Sequence, residues 1–165
     1  MAARPRPCDR AARAGRLRKA EQFADAYNLV RDYAGDDGEL DVADAAVTLA
    51  VHAGIAASDV ICCARLGVHA QGDSHDEAKA LLGAAMAGAD KYLATLLAMK
   101  TRAGYSADPA TRDMLVRSAS SGSLTRPLGI AHLTVLVTES EGVGLPTVDT
   151  GAVPAGARLT PDVAP

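Results

Sequence analysis

The side chains best suited to chemistry lie in one short polar break between two predicted helices. Arg65, His69, Asp73, Ser74 and His75 fall within eleven positions. An arginine fork can hold a phosphate, and a histidine can transfer a proton near neutral pH. These two types suit cleavage of RNA without a metal: histidine moves the proton of the 2′-hydroxyl, and arginine stabilises the charged phosphorane. We therefore expect any site at this break.

The same residues have ordinary structural roles as well. Ser74 and Glu77 form a capping box for the helix that follows the break. His75 then lies in a first turn, where the helix dipole favours a neutral imidazole that can act as a general base. A surface histidine beside a cap has no such role, and Arg65 can instead bond the last carbonyls of its own helix. Both interpretations stay open.

Other constellations of reactive side chains are weaker. His52 and Asp59 are seven residues apart on one helical face, which favours a structural hydrogen bond across the bundle over catalysis. The remaining candidate metal ligands are Cys62, Cys63, His69 and His75. They have neither the paired-cysteine spacing nor the HExxH motif of zinc sites, and the chain contains no P-loop or GxGxxG motif. We predict no metal and no cofactor.

Hydrophobic periodicity predicts that helices position the break. The chain is 48% hydrophobic but only 3% aromatic, and its abundant alanine favours closely packed helices. The segment 41–66 is apolar around most of its circumference and should be the central helix, ending at Gly67. We expect an all-α, antiparallel up-and-down bundle of four to five helices within residues 11–119. The predicted helices cover residues 11–34, 41–66, 74–88, 90–103 and 108–119.

The two ends of the chain differ from this helical region. Seven basic residues occur within the first 19 positions, although the net charge is −3. We expect residues 1–10 to form a disordered, solvated basic tail, with a nucleic-acid-binding arm as the alternative. Residues 120–165 have few charges and much Gly and Pro, which predicts a poorly ordered tail. Within it, Ile130–Thr138 is at most a strand that docks on another element.

Cysteine usage and hydropathy bear on location. Cys8, Cys62 and Cys63 do not form a disulfide framework, so we expect them to be reduced, with the adjacent pair buried in the helix. No segment has the length of a membrane span, and the basic N-terminus lacks the apolar core of a secretory signal. These features predict a cytoplasmic protein that does not interact with membranes.

Three stretches together resemble the HEPN domain family (higher eukaryotes and prokaryotes nucleotide-binding). They are AVHAGIAASDVICCARLG, the later SHDEAKALL, and the helix ending LLAMKTRAGY. His75 stands at the helix start where members have a histidine, while Lys100 and Tyr105 match their Arg-x4-Tyr ending. The resemblance covers roughly residues 20–119. It implies a helical bundle that is commonly a homodimer.

The resemblance also implies a function. Active members are metal-independent endoribonucleases, often the toxin of a toxin–antitoxin or defence system with a nucleotidyltransferase partner. Here Arg65 would stabilise the phosphorane, and His69 or His75 would be the general acid and base. The implied ligand contacts are Lys100, Tyr105 and Ser74.

Two departures from the family keep the alternatives open. Arg65 and His69 have three residues between them, fewer than in the family signature, and lysine replaces arginine at Lys100. The first hypothesis is therefore an RNA- or nucleotide-binding domain, with or without nuclease activity. The second is a non-catalytic helical module for interaction or oligomerisation. A third is DNA binding through the N-terminal arginines.

Overall fold

The computed structural model describes residues 5–38, 40–71 and 74–119, and most of this part of the chain is helical. It contains a pair of two-residue strands, Arg6–Pro7 and Val68–His69, in addition to the helices. The predicted all-α class is confirmed. In chain order, the elements are β1 (Arg6–Pro7), α1 (Arg10–Gly38), α2 (Ala43–Leu66), β2 (Val68–His69), α3 (His75–Ala85), α4 (Asp90–Tyr105) and α5 (Arg112–Ala119).

α1 and α2 form a long antiparallel hairpin. Arg16 contacts Asp59, and the rings of Phe23 and His52 stack with their centroids 5.2 Å apart. Further out, β1 pairs with β2 in antiparallel register, with Arg6 opposite His69. All three pairs are centred on the same turn between the two helices. The beginning of α1 therefore lies beside the end of α2.

α2 is the centre of the bundle, as its broad apolar surface predicts. It contacts every other helix. Ala46, Ala50, Ala53 and Ala57 are fully buried along it, so small side chains let neighbouring backbones approach closely. α2 is long and apolar enough to cross a membrane, but most of it is buried inside the fold, and a core helix meets the same criterion.

The glycine and serine caps predicted from the sequence are present at the break, but the carboxylate of Glu77 makes no return hydrogen bond among the described residues, so the capping box is incomplete. Gly67 adopts a left-handed conformation with φ of 69°, which lets the chain leave α2 without the strain that a Cβ would introduce. The Ser74 hydroxyl accepts a hydrogen bond from the Glu77 N–H at 3.3 Å. α3 therefore begins at His75 as expected.

The end of α4 lies beside the start of α2, at the opposite end of the bundle from the break. Arg102 Nε donates to the Pro109 carbonyl, and the next amide, that of Ala110, donates to Asp44 Oδ1 at 2.7 Å. Asp44 is in the first turn of α2, about 30 Å of helix away from Arg65. This contact anchors α5 on α2.

Several expectations need correction. Residues 6–9 were expected to belong to a disordered tail, but Arg6–Pro7 pairs with β2 and Asp9 caps α1. Reduced cysteines were also expected, but Cys8 and Cys63 form a disulfide, because strand pairing brings the N-terminus to the end of α2. α1 continues past residue 34 to Gly38. The predictions for 120–165, including Ile130–Thr138, and for Asp73 lie outside the described residues.

Candidate functional site

Basic side chains gather at the end of the bundle where α1 begins and α2 ends. Arg6, Arg10 and Arg65 are exposed, and Arg13 is half-buried one turn into α1. His75 is exposed at the first turn of α3, six residues after β2. We call these five residues the basic pole. It exists because the antiparallel hairpin places the arginine-rich N-terminus beside the last turn of α2.

His69 belongs to the strand that pairs with the N-terminal segment and is only 8% exposed. Arg6 is its cross-strand neighbour, so the two side chains leave the strand pair on the same face. The imidazole donates from Nδ1 to the Ala70 carbonyl at 2.9 Å, which leaves Nε2 as the nitrogen that can exchange a proton. In this state a ligand at the surface has little access to His69.

A buried carboxylate lies near His69. Asp59 is 6% exposed, and its Oδ2 lies 3.4 Å from Arg16 Nη1. Burial raises the pKa of Asp59, while the charges of Arg16 and His69 act in the opposite direction. The penalty of burying the carboxylate thus outweighs the attraction of its partners. Burying the charged carboxylate of Asp59 costs free energy that the ion pair with Arg16 only partly offsets. The pair nevertheless links α1 to α2 at this end of the bundle.

Cys62, His69 and Asp59 have the residue types of a catalytic cysteine site. The thiol of Cys62 is nevertheless unsuited to nucleophilic chemistry. The side chain is buried, and burial together with the Asp59 charge raises the pKa of Cys62 to about 12. The reactive species is the thiolate, which is scarce at neutral pH under these conditions. Cys62 is therefore a buried core residue of α2, as expected from the sequence.

The structure brings together only some of the residues predicted for the site. Arg65, His69, Ser74 and His75 lie around the break at the end of α2. Tyr105 is 81% exposed at the end of α4, beside the start of α2. Lys100 is one turn and a half before it on the same helix and is half-buried. These two residues form no single groove with the break within one chain.

Acidic side chains near the break are partly neutralised. Asp76 accepts a hydrogen bond from Lys79 at 2.7 Å, and this bond, together with the lysine charge, lowers the pKa of the carboxyl. Both carboxylate oxygens of Glu77 are buried, and neither has a hydrogen-bond partner among the described residues.

No group of three or more His, Cys, Asp or Glu side chains suited to a metal occurs in the described ranges.

Sequence reasoning missed the contribution of the N-terminal segment to this end of the molecule. Arg6, Arg10 and Arg13 were assigned to a tail or to the start of α1, remote from the break. A signal for their placement exists: an antiparallel hairpin of two long helices must bring residues equidistant from its turn together. Applied to the turn after residue 34, this rule pairs the N-terminus with residues 65–69.

No protein-family model, no curated protein and no solved structure matches this chain. The HEPN assignment accordingly stays a resemblance carried by the quoted residues.

The Arg16–Asp59 pair yields a prediction about stability and pH. We expect Arg16→Met to lower the free energy of unfolding at neutral pH by about 1 kcal/mol, a small value because solvent screens the half-exposed arginine. The loss should shrink as the pH falls. The folded state already binds the Asp59 proton more readily than the unfolded state does, and a protonated Asp59 no longer needs the arginine.

Asp59→Asn is the matched control, measured by urea unfolding over the same pH range. The neutral amide avoids the burial penalty, so stability at neutral pH should equal or exceed that of the wild type. A clear loss of stability in Asp59→Asn would contradict the view that the charged carboxylate is disfavoured here.

Proposed function

We propose that this protein is a HEPN-like RNA- or nucleotide-binding domain that takes the phosphates of its ligand at the basic pole. A role in a toxin–antitoxin or defence system, with a nucleotidyltransferase partner, belongs to the same proposal. One observation carries it: the fold gathers Arg6, Arg10, Arg13 and Arg65 at one end, although the whole chain has a net charge of −3. Clustered arginines form the electrostatic footprint of a nucleic-acid site.

His75 and the first turn of α3 add to this surface. Exposed N–H groups at a helix start attract anions, and an arginine fork binds phosphate with two hydrogen bonds. The lysine contact of Asp76 limits repulsion of a phosphate there. RNA is favoured over DNA only by the family resemblance, and both present the same phosphates.

Binding is better supported than cleavage for the disulfide-bonded chain. Metal-independent cleavage needs a histidine within hydrogen-bond reach of the 2′-hydroxyl. His69 is buried with Nδ1 engaged, so His75 is the accessible candidate. We expect the oxidised protein to bind RNA in EDTA with little or no cleavage.

Fluorescence anisotropy with a labelled single-stranded RNA tests the proposal. Arg65→Gln and Arg10→Gln should each weaken binding several-fold, and each should reduce the slope of log affinity against log salt by about one unit, because each removes a phosphate contact. Both side chains are exposed, so neither change should affect folding. Unaltered affinity in both variants, or no binding at low salt, would overturn the assignment.

Two further variants locate the ligand. Arg117→Gln changes an exposed arginine on α5 that forms an ion pair with Asp113, and this variant should bind RNA like the wild type. Lys100→Gln separates the geometric argument from the family resemblance. If Lys100→Gln weakens binding as much as Arg65→Gln does, the ligand extends toward the end of α4 or bridges two subunits.

A second candidate function, a helical oligomerisation module, is favoured by a different surface. Leu29 and Tyr33 lie one turn apart on α1 and are 73% and 91% exposed. Exposed apolar residues on one helical face are typical of helix–helix interfaces. Through this face the domain could form the homodimer that the family resemblance implies. In sedimentation, the wild type should then be dimeric and Leu29→Ser with Tyr33→Ser monomeric; a monomeric wild type would exclude this role.

A further inference from the structure

We propose that the Cys8–Cys63 disulfide is a redox-controlled latch that holds the N-terminal segment over His69. The inference rests on the proposed function for its biological meaning, because His69 is one of the two histidines proposed there for proton transfer. In the oxidised protein, residues 5–8 lie against β2. On reduction this segment leaves, and His69 becomes accessible.

Apart from the disulfide, the backbone of the segment makes few hydrogen bonds to the rest of the protein. β1 contributes two residues to the strand pair, and one of them, Pro7, has no N–H to donate. One further backbone bond runs from the Cys8 N–H to the Gly67 carbonyl at 2.8 Å. Isolated two-stranded pairs are marginal in water even when they are longer. The covalent link is therefore the strongest attachment of the segment to the end of α2.

The segment can move without disturbing α1. Asp9 caps that helix, because its carboxylate accepts from the Ala12 N–H at 2.7 Å. Beyond the cap, Arg16 and Phe23 hold α1 on α2 through Asp59 and His52. The hinge thus falls between Cys8 and Asp9. Opening frees residues 5–8 and leaves the helical hairpin in place.

The two sulfur atoms differ in accessibility to solvent, and this difference determines which sulfur a reductant attacks first. Cys8 is half-exposed and Cys63 is buried. A thiolate of a dithiol reductant attacks Cys8 Sγ, the bond to Cys63 breaks, and Cys63 leaves as a thiolate that takes up a proton. The second thiol of the reductant then attacks the mixed disulfide and releases Cys8. Two electrons and two protons pass to the protein, and the reductant becomes a cyclic disulfide.

The consequence for the surface follows from the strand register. Arg6 is the cross-strand neighbour of His69, so its departure removes the side chain that flanks the imidazole. Arg65 lies on the last turn of α2, four residues before His69, and stays in place. The reduced protein would thus offer His69 together with Arg65 and His75, whereas only Arg65 and His75 of these three are exposed in the oxidised protein.

Diethyl pyrocarbonate footprinting of the full chain, read by peptide mass spectrometry, tests the latch without any RNA. Dithiothreitol should raise the modification rate of His69 about five-fold, toward that of exposed His75, because local opening removes its cover. The rates of His52 and His75 should not change. Cys8→Ser should show the fast His69 rate with or without dithiothreitol, and Cys62→Ala should respond to it like the wild type.

Two outcomes overturn the latch. One is an unchanged, slow His69 rate in the reduced protein and in Cys8→Ser. The other is loss of the helical circular-dichroism signal on reduction, which would make the disulfide a support of the whole fold. RNA binding is measured separately in both redox states. A fast His69 in reduced protein that binds no RNA supports the latch and refutes the proposed function; a slow His69 in reduced protein that does bind RNA does the opposite.

Discussion

Replacing Cys8 by serine is expected to lower the free energy of unfolding by about 3 kcal/mol. The disulfide joins residues 55 positions apart, and a cross-link across a loop of this length removes much conformational entropy from the unfolded chain. The loss should fall somewhat below the full loop-closure value, because the freed segment also gains entropy in the native state. Urea unfolding under non-reducing conditions measures it.

Reductant and the third cysteine provide the controls. Dithiothreitol should bring the wild type to the stability of Cys8→Ser and leave the variant unchanged. Cys62→Ala keeps the disulfide and removes one buried sulfur, so it should lose only about 1 kcal/mol. Equal stability of oxidised wild type and Cys8→Ser would show that this disulfide does not form in solution.

Truncation of Leu96 to alanine is expected to cost about 3 kcal/mol, because it leaves a cavity where α4 packs against α2. Leu96 is fully buried and belongs to the core cluster formed mainly by α2 and α4. The small alanines of α2 cannot expand to fill the space, and their backbone is held by contacts on other sides. Thermal and urea unfolding should agree on the loss.

Leu29→Ala is the matched control for this substitution. It removes the same atoms from a leucine that is 73% exposed, so the monomer should change by less than about 0.5 kcal/mol. A large loss that depends on protein concentration would instead place Leu29 in an interface and favour the oligomerisation function. A small loss for Leu96→Ala would contradict the packing of α4 on α2.

Local sequence patterns were sufficient for the existence of the helices and for the two boundaries at the break. The apolar period of 41–66 predicted a central helix, and α2 is the helix that contacts all the others. Gly67 and Ser74 marked the end of α2 and the start of α3, because a left-handed glycine and a side-chain cap act within a few residues of their own position. Periodicity and capping depend on neighbours three and four residues away, so both can be recognised in the sequence without knowledge of the tertiary structure.

The residues predicted for the candidate site were grouped correctly only where they are neighbours in the chain. Arg65, His69, Ser74 and His75 are close together in the structure largely because they are close in the chain. Lys100 and Tyr105 were added by family resemblance, and the contact between Ala110 and Asp44 shows that the end of α4 lies at the far end of α2. A resemblance in sequence carries residue types and order, whereas distance depends on how the helices are arranged.

Composition, period and caps established an all-α bundle built on 41–66 with a polar break at its end. Only packing joined Cys8 to Cys63, set Arg16 against buried Asp59, and laid Arg6 beside His69. Each of these contacts links residues more than forty positions apart in the chain. Such contacts depend on the register in which α2 returns along α1, and that register follows from the whole hairpin and not from a pattern of neighbouring residues. The same return places the apparent basic tail beside the candidate site.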